Sequence, residues 1–197
     1  MATYHEKYAQ GNPIFDSGRP CSELLRVLED GQLPGRTILE LGCGTGSNAV
    51  ELARRGYLVT AIDYVPLAVE LAREKARQAN VTIDFRVGDV TQEIDLGGPF
   101  DVIFDRGLYH YVRDLPLGLT GLLKNIQRCS NPGALWLCLA GSANSEPECR
   151  AASIHEHELR ADFEPQFDIL QLREFRAETN KPSIRPLMWS VLMRRKA

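Results

Sequence analysis

Four short polar runs in this 197-residue chain carry groups suited to holding a nucleoside. The first is Glu40-Leu41-Gly42-Cys43-Gly44-Thr45-Gly46, a G-x-G-x-G turn. Glycines there let the backbone turn tightly and approach a ligand with no Cβ in between. Such a turn can also serve only a strand-to-helix junction, but the alternate spacing is more specific. Ser47 stands where a dinucleotide-binding turn wants its third glycine, which argues against a nicotinamide oxidoreductase. The second is Asp63, a carboxylate able to accept hydrogen bonds from both hydroxyls of a ribose. Its other reading is a turn aspartate, disfavoured because Pro66 already supplies turn chemistry. Gly88-Asp89-Val90, where an adenine amino group could be received, and Asp105-Arg106-Gly107 complete the set.

The elements that must position these runs follow from hydrophobic patterning. Thr37–Leu41, Leu58–Asp63, Val81–Val87 and Phe100–Asp105 read as strands, and each ends at one of the four runs. A helix opens near Ser47 or Asn48, either of which could cap it, and runs to about Arg55. Pro66 suits the first turn of a second helix, to about Asn80. Leu119, Leu122, Leu123 and Ile126 follow helical spacing, with Asn131-Pro132-Gly133 as the stop. Ala134–Ala140 is a near-continuous apolar strand, as expected in a parallel sheet covered on both faces. A polar loop (Gly141 to Arg150), a helix around Glu156–Ala161 and strands Phe167–Phe175 and Leu187–Arg194 follow. Strands alternating with helices imply an α/β, doubly wound (Rossmann-like), mostly parallel seven-stranded sheet. Ligands in such a sheet bind beyond the carboxyl ends of the strands, where all four polar runs fall. Cys21 to Asp30 reads as a helix laid over the top of the sheet.

Composition excludes several classes. With 44% hydrophobic and 25% charged residues the chain can bury a core, so disorder and fibrous repeats are excluded, and the length suits one domain, 1–197. The formal charge of -3 and the lack of a basic cluster argue against nucleic acid. No apolar run is long enough for a bilayer, and residues 1–7 lack a signal-peptide layout, which gives the expectation of a soluble cytoplasmic protein. Five cysteines without a CxxC pair, and four scattered histidines, fit neither a disulfide framework nor a structural metal. A monomer or weak homodimer acting on a small molecule is the expected state.

Taken as a set, Glu40–Gly46, Asp63 and Gly88-Asp89-Val90 resemble the cofactor motifs of class I S-adenosylmethionine (SAM) methyltransferases over roughly Thr37 to Ala140. Asn12-Pro13-Ile14-Phe15-Asp16-Ser17-Gly18-Arg19-Pro20 is similar to the P-W-D-x-G-R segment of the thiopurine, halide and thiol methyltransferase group, and Phe104-Asp105-Arg106-Gly107 to its D-R-G signature. Asn125 to Gly133 resembles tellurite-resistance methyltransferases. The resemblance implies SAM as co-substrate, with Glu40, Gly42, Cys43, Gly44, Gly46 and Asn48 around its methionine part, Asp63 on the ribose and Asp89-Val90 on the adenine. It also implies Tyr64 over the adenine face, Asp105 near the ammonium, Arg106 in the acceptor cavity, and residues 1–36 as a lid whose Phe15 and Arg19 close over the sulfonium. Phe15 replaces the usual Trp, and Val65 a helix-capping Ser, so that cap must come from elsewhere.

Methyl transfer needs mainly alignment and exclusion of water. Arg106 could favour an anionic acceptor such as a thiol, sulfide or thiopurine, because a positive neighbour lowers an acid's pKa. Its plainer role is a contact to a loop carboxylate. His110 could act as a base for an O- or N-acceptor, or simply pack at a helix start. Tyr109 and Tyr111 could line an aromatic cavity or cover a core. Cys43 reads as a small filler. A non-catalytic SAM-binding module is the reading from outside enzymology.

Overall fold

In a computed structural model, residues 3–11, 13–149 and 152–197 are described. Asn12 of the lid motif and Arg150 of the polar loop lie outside them, as do Met1 and Ala2. The helices are α1 (Tyr4–Ala9), α2 (Ser22–Glu29), α3 (Ser47–Arg54), α4 (Pro66–Gln78), α5 (Tyr109–Val112), α6 (Gly118–Cys129) and α7 (Glu156–Phe163). The strands are β1 (Thr37–Leu41), β2 (Leu58–Asp63), β3 (Asp84–Val87), β4 (Phe100–Arg106), β5 (Ser130–Gly141), β6 (Phe167–Arg176) and β7 (Leu187–Arg195). They form one seven-stranded sheet in the order β3-β2-β1-β4-β5-β7-β6. Neighbours from β3 to β5 pair in parallel, whereas β7 is antiparallel to both β5 and β6. The sheet is therefore mixed.

Alternation along each strand splits the core into two layers. Ile38, Val102, Phe104 and Leu137 face Leu24 and Val27 of α2, Leu52 of α3 and Ala72 of α4. Leu39, Leu41, Ile103 and Trp136 face Leu122 and Ile126 of α6 and Phe163 of α7. The α2 helix is thus part of the layer on one face, not a cover over the top, because its apolar stripe has the sheet to bury against.

Three local readings change. Neither Ser47 nor Asn48 caps α3: its N-cap is Gly46 at φ +76° with no side-chain cap, and both side chains turn to other partners. The β3 strand begins only at Asp84, where pairing with Thr60 starts. Asn131-Pro132-Gly133 does not end α6. That helix stops at Cys129, Ser130 already pairs with Phe100, and the N-P-G run is an irregularity inside β5. The α1 helix is held by a capping box between Thr3 and Glu6, whose T-x-x-E spacing is visible in the sequence.

Candidate active site

The loops after β1, β2, β3 and β4 converge on a cavity of 440 Å³, a size that suits a small-molecule site. Gly42, Asp63, Tyr64, Asp89 and Val90 line one part, and Arg106, Gly107, Leu108 and His110 another. Three segments remote in sequence complete the walls, one of them being Glu148 and Cys149 of the loop after β5. Tyr4, Lys7 and Tyr8 of α1, with Ile14 and Phe15 of the following turn, come from the N-terminus. Thr179, Ile184, Pro186 and Met188 come from the β6–β7 connection and the start of β7. Because β7 runs against its neighbours, that connection reaches the same edge as the other loops.

The glycine turn fits a ligand that approaches closely. Gly42 has φ +67°, and a Cβ there would lie 3.1 Å from the Leu108 Cβ. Asp63, 8% exposed, accepts from the Gly44 N–H at 2.9 Å and the Val65 N–H at 3.0 Å. The turn role set aside on sequence grounds is therefore real, whereas α4 starts from its N-cap Val65 without a side-chain cap, with Pro66 at its first position. A carboxylate offers about four acceptor positions, so Asp63 retains capacity for two further donors at the cavity wall. Burial raises its pKa while the backbone N–H bonds oppose that rise. Asp89 accepts from the Thr91 N–H and hydroxyl at 2.9 and 2.7 Å, which closes its own turn.

Seven of the sequence-derived residues do not line the cavity: Glu40, Cys43, Gly44, Gly46, Asn48, Asp105 and Arg19. Glu40 lies buried behind the turn, held at 3.3 Å by the Asn48 side-chain amide, and burial pushes its pKa up to about 8. The Asn48 oxygen in turn accepts from the Cys21 N–H, tying α2 to the turn. The Cys43 thiol is buried and pushed up by that burial, which fits a filler. Gly44 and Gly46 pack against Tyr8 and Ala72. Asp105 is fully buried, accepts from the Trp136 indole at 2.9 Å and the Tyr109 N–H at 3.1 Å, and is pushed up to about 6 by burial. Arg19 is exposed.

Among the described residues, Arg106 pairs with no loop carboxylate. Its Nη1 donates to the Phe15 carbonyl at 3.0 Å and its Nη2 to the Glu178 carbonyl at 2.6 Å, so one guanidinium staples the N-terminal segment to the β6–β7 connection. Both acceptors are neutral carbonyls, and its buried Nε has no hydrogen-bond partner among the described residues. His110 Nδ1 accepts from the Gly141 N–H at 3.0 Å. That bond places the imidazole proton on Nε2. Burial, with Arg106 beside it, pushes the His110 pKa down to about 4, so the ring is neutral. Tyr111 lines the cavity, whereas Tyr109 is fully buried and donates to Asp162 at 2.6 Å.

Sequence reasoning expected Phe15, Tyr64 and Tyr111 at the site but missed Tyr4 and Tyr8 of α1 and one buried amide. The Tyr4 ring meets Phe15 at 5.3 Å and Tyr111 at 4.9 Å, while Tyr64 and Tyr111 lie 6.4 Å apart and nearly parallel. Asn125 of α6 donates to the Val90 and Gln92 carbonyls at 2.8 and 2.7 Å, holding the loop that bears Asp89 and Val90. Its signals were a polar residue amid Leu122, Leu123 and Ile126 and its place at the head of the Asn125–Gly133 run.

A family profile described as "Methyltransferase domain" matches residues 38–133. A curated relative, the 2-heptyl-1-hydroxyquinolin-4(1H)-one methyltransferase of Mycobacteroides abscessus, is 33% identical over 129 residues, 64% of this chain and 55% of the relative. The chain thus spans little more than half the length of that protein. A solved structure from the work "Conversion of a Disulfide Bond into a Thioacetal Group during Echinomycin Biosynthesis" superposes with a TM-score of 0.80 at 26% identity, covering 94% of this chain and 86% of that one. Magnesium protoporphyrin IX methyltransferase from Synechocystis PCC 6803, solved with bound SAM, shares the fold at a TM-score of 0.62 and 19% identity, over 86% of this chain and 76% of that one. Residues 38–133 are thus similar to a methyltransferase domain, and the fold around them is one that a methyltransferase solved with SAM also adopts.

Proposed function

We propose that the protein methylates a small molecule whose acceptor atom ionises on its own: a thiol, sulfide, thiopurine or acidic ring hydroxyl. The observation that carries this reading is the Gly141 N–H bond to His110 Nδ1. It commits the Nδ1 lone pair and leaves Nε2–H as a donor, so the base suggested for an O- or N-acceptor is not poised to take a proton. An anion next to the Arg106 guanidinium and the imidazole N–H needs none. The M. abscessus relative acts, by its name, on a hydroxylated quinolinone, and the echinomycin work concerns sulfur; both acceptors suit the same chemistry. SAM, when bound, supplies an electrophilic methyl on a sulfonium. Asp63 and the glycine turn would hold its ribose and methionine parts, Asp89-Val90 its adenine, and Tyr64 with the α1 aromatics would keep water away.

The experiment is transfer of labelled methyl from SAM to a panel of thiols, sulfide, thiopurines, acidic ring hydroxyls, alkyl alcohols and amines. Acidic acceptors should be methylated, with a rate that follows the acceptor's own ionisation and shows no limb near the ordinary histidine pKa of about 6.5. Turnover confined to amines or alkyl alcohols, with a histidine-like limb that disappears in His110→Gln, would overturn the reading. Binding of SAM with no transfer to any acceptor would favour the non-catalytic module.

A further inference from the structure

Outside the cavity, a polar chain runs behind the glycine turn and connects three elements that the methyltransferase reading treats separately. Lys75, on the last turns of α4, donates from Nζ to the Ser47 hydroxyl at 2.7 Å and the Thr45 hydroxyl at 2.8 Å. The Thr45 hydroxyl donates onward to Asp16 Oδ2 at 2.6 Å. The other oxygen of Asp16 accepts from the Gly18 N–H at 2.9 Å, which shapes the turn after Phe15. Thr45 lies inside the G-x-G-x-G run, Asp16 follows the cavity-lining Phe15, and Lys75 is the cation that completes the chain. All three side chains are partly shielded from solvent, where a charge-assisted bond is stronger than at an open surface. A second contact reinforces the first: a Cβ on Gly44 would lie 2.8 Å from the Tyr8 hydroxyl, so α1 also rests directly on the turn.

We propose that Asp16, Thr45 and Lys75 form a latch that fixes the N-terminal lid to the donor-binding turn, which makes all three positioning residues for methyl transfer. The inference rests on the reading of the glycine turn as the donor loop. The latch joins two segments that both border the cavity but contribute to different walls of it. Anything that orders the turn therefore orders Phe15 and the α1 aromatics, and a lid that lifts must break the Thr45–Asp16 bond. The donor product should consequently leave slowly while the latch is made, and faster when it is broken. Thr45→Val keeps the shape of the side chain and removes only the hydroxyl, Thr45→Ser restores the hydroxyl, and Lys75→Met keeps the stem and removes the charge.

Two measurements test it on the full chain. In stopped-flow or surface-binding kinetics, S-adenosylhomocysteine should dissociate about tenfold faster from Thr45→Val and Lys75→Met than from wild type, the scale of one charge-assisted bond, with Thr45→Ser close to wild type. In ligand-free protein, trypsin should cut after Lys7 faster in the same two variants, with unfolding midpoints measured alongside to separate local opening from general instability. Wild-type dissociation and cleavage rates in Thr45→Val and Lys75→Met would overturn the latch. Failure of S-adenosylhomocysteine to bind wild type would instead sink the donor-loop reading, while the ligand-free cleavage arm would still decide whether lid and turn are joined.

Discussion

Glu40 shows how much one buried carboxyl can decide. It accepts one amide bond from Asn48, its other oxygen has no partner among the described residues, and burial holds its pKa at about 8. In the unfolded chain it would ionise near pH 4.3. Between those values the unfolded state has released the proton and the folded state keeps it. Stability from this group is therefore fully present below about pH 4.3 and is lost as the pH rises towards 8. Glu40→Gln keeps an oxygen for Asn48 and removes the titration. Urea midpoints measured from pH 5 to 8 should fall more steeply in wild type than in Glu40→Gln, and parallel curves would show that Glu40 ionises at its ordinary value. His110 works in the opposite direction, since its depressed pKa makes stability fall as the pH drops from about 6.5 towards 4, and the comparison between variant and wild type cancels its contribution.

A single side chain on α6 organises a loop on another element. Asn125 donates to the Val90 and Gln92 carbonyls, and its oxygen accepts from the Ile94 N–H at 3.4 Å, so three backbone points of the β3–β4 connection depend on it. Asn125→Ala leaves two carbonyls without that donor and should lower unfolding free energy by about 2 kcal/mol or more in urea titrations. Affinity for S-adenosylhomocysteine should fall with it, because Asp89 and Val90 ride on that loop. A stability within about 0.5 kcal/mol of wild type would show that water replaces the amide. The contrast with what patterning reveals is instructive. Strands β1 and β2 and the start of α4 stand in the sequence almost residue for residue, since continuous apolar runs and Pro66 are local signals. The end of α6 does not: Pro132 marks only where a helix cannot be, and the strand takes over two residues earlier, at Ser130, because pairing with Phe100 is available. Nor do Ser47 and Asn48 reveal that Lys75 and Cys21 compete for their side chains.

Across the whole molecule, the cavity wall that strand ends supply was legible, and the contacts that tie its roof were not. Gly42, Asp63, Asp89 and Val90 sit at ends of consecutive strands, so topology alone brings them to one edge. The roof joins Phe15 to Glu178 through Arg106, a contact 91 and 72 residues long in sequence, for which no local pattern exists. A site assembled from so many segments should stabilise the entire fold when filled. S-adenosylhomocysteine at a hundred times its dissociation constant should add about 2.7 kcal/mol and raise the melting temperature, whereas NAD and NADP should leave it unchanged. Stabilisation by a dinucleotide alone would contradict the assignment of the donor.

The reversed strand has an evolutionary corollary. With β7 antiparallel, residues 177–186 form a connection between two paired neighbours, and such connections accept insertions and exchanges that buried crossovers do not. The β1–β3 loops, by contrast, are hemmed in at Gly42, Gly44, Gly46 and Gly88 by Leu108, Tyr8, Ala72 and Ile94, so they are hard to alter without disturbing the packing. Variation is thereby channelled to one wall of the cavity. Exchanging residues 177–186, of which only Ala177 and Pro186 are buried, would rewrite that wall while leaving the glycine turn and Asp63 in place, and chimaeras that swap only this stretch between relatives are the natural units of such change.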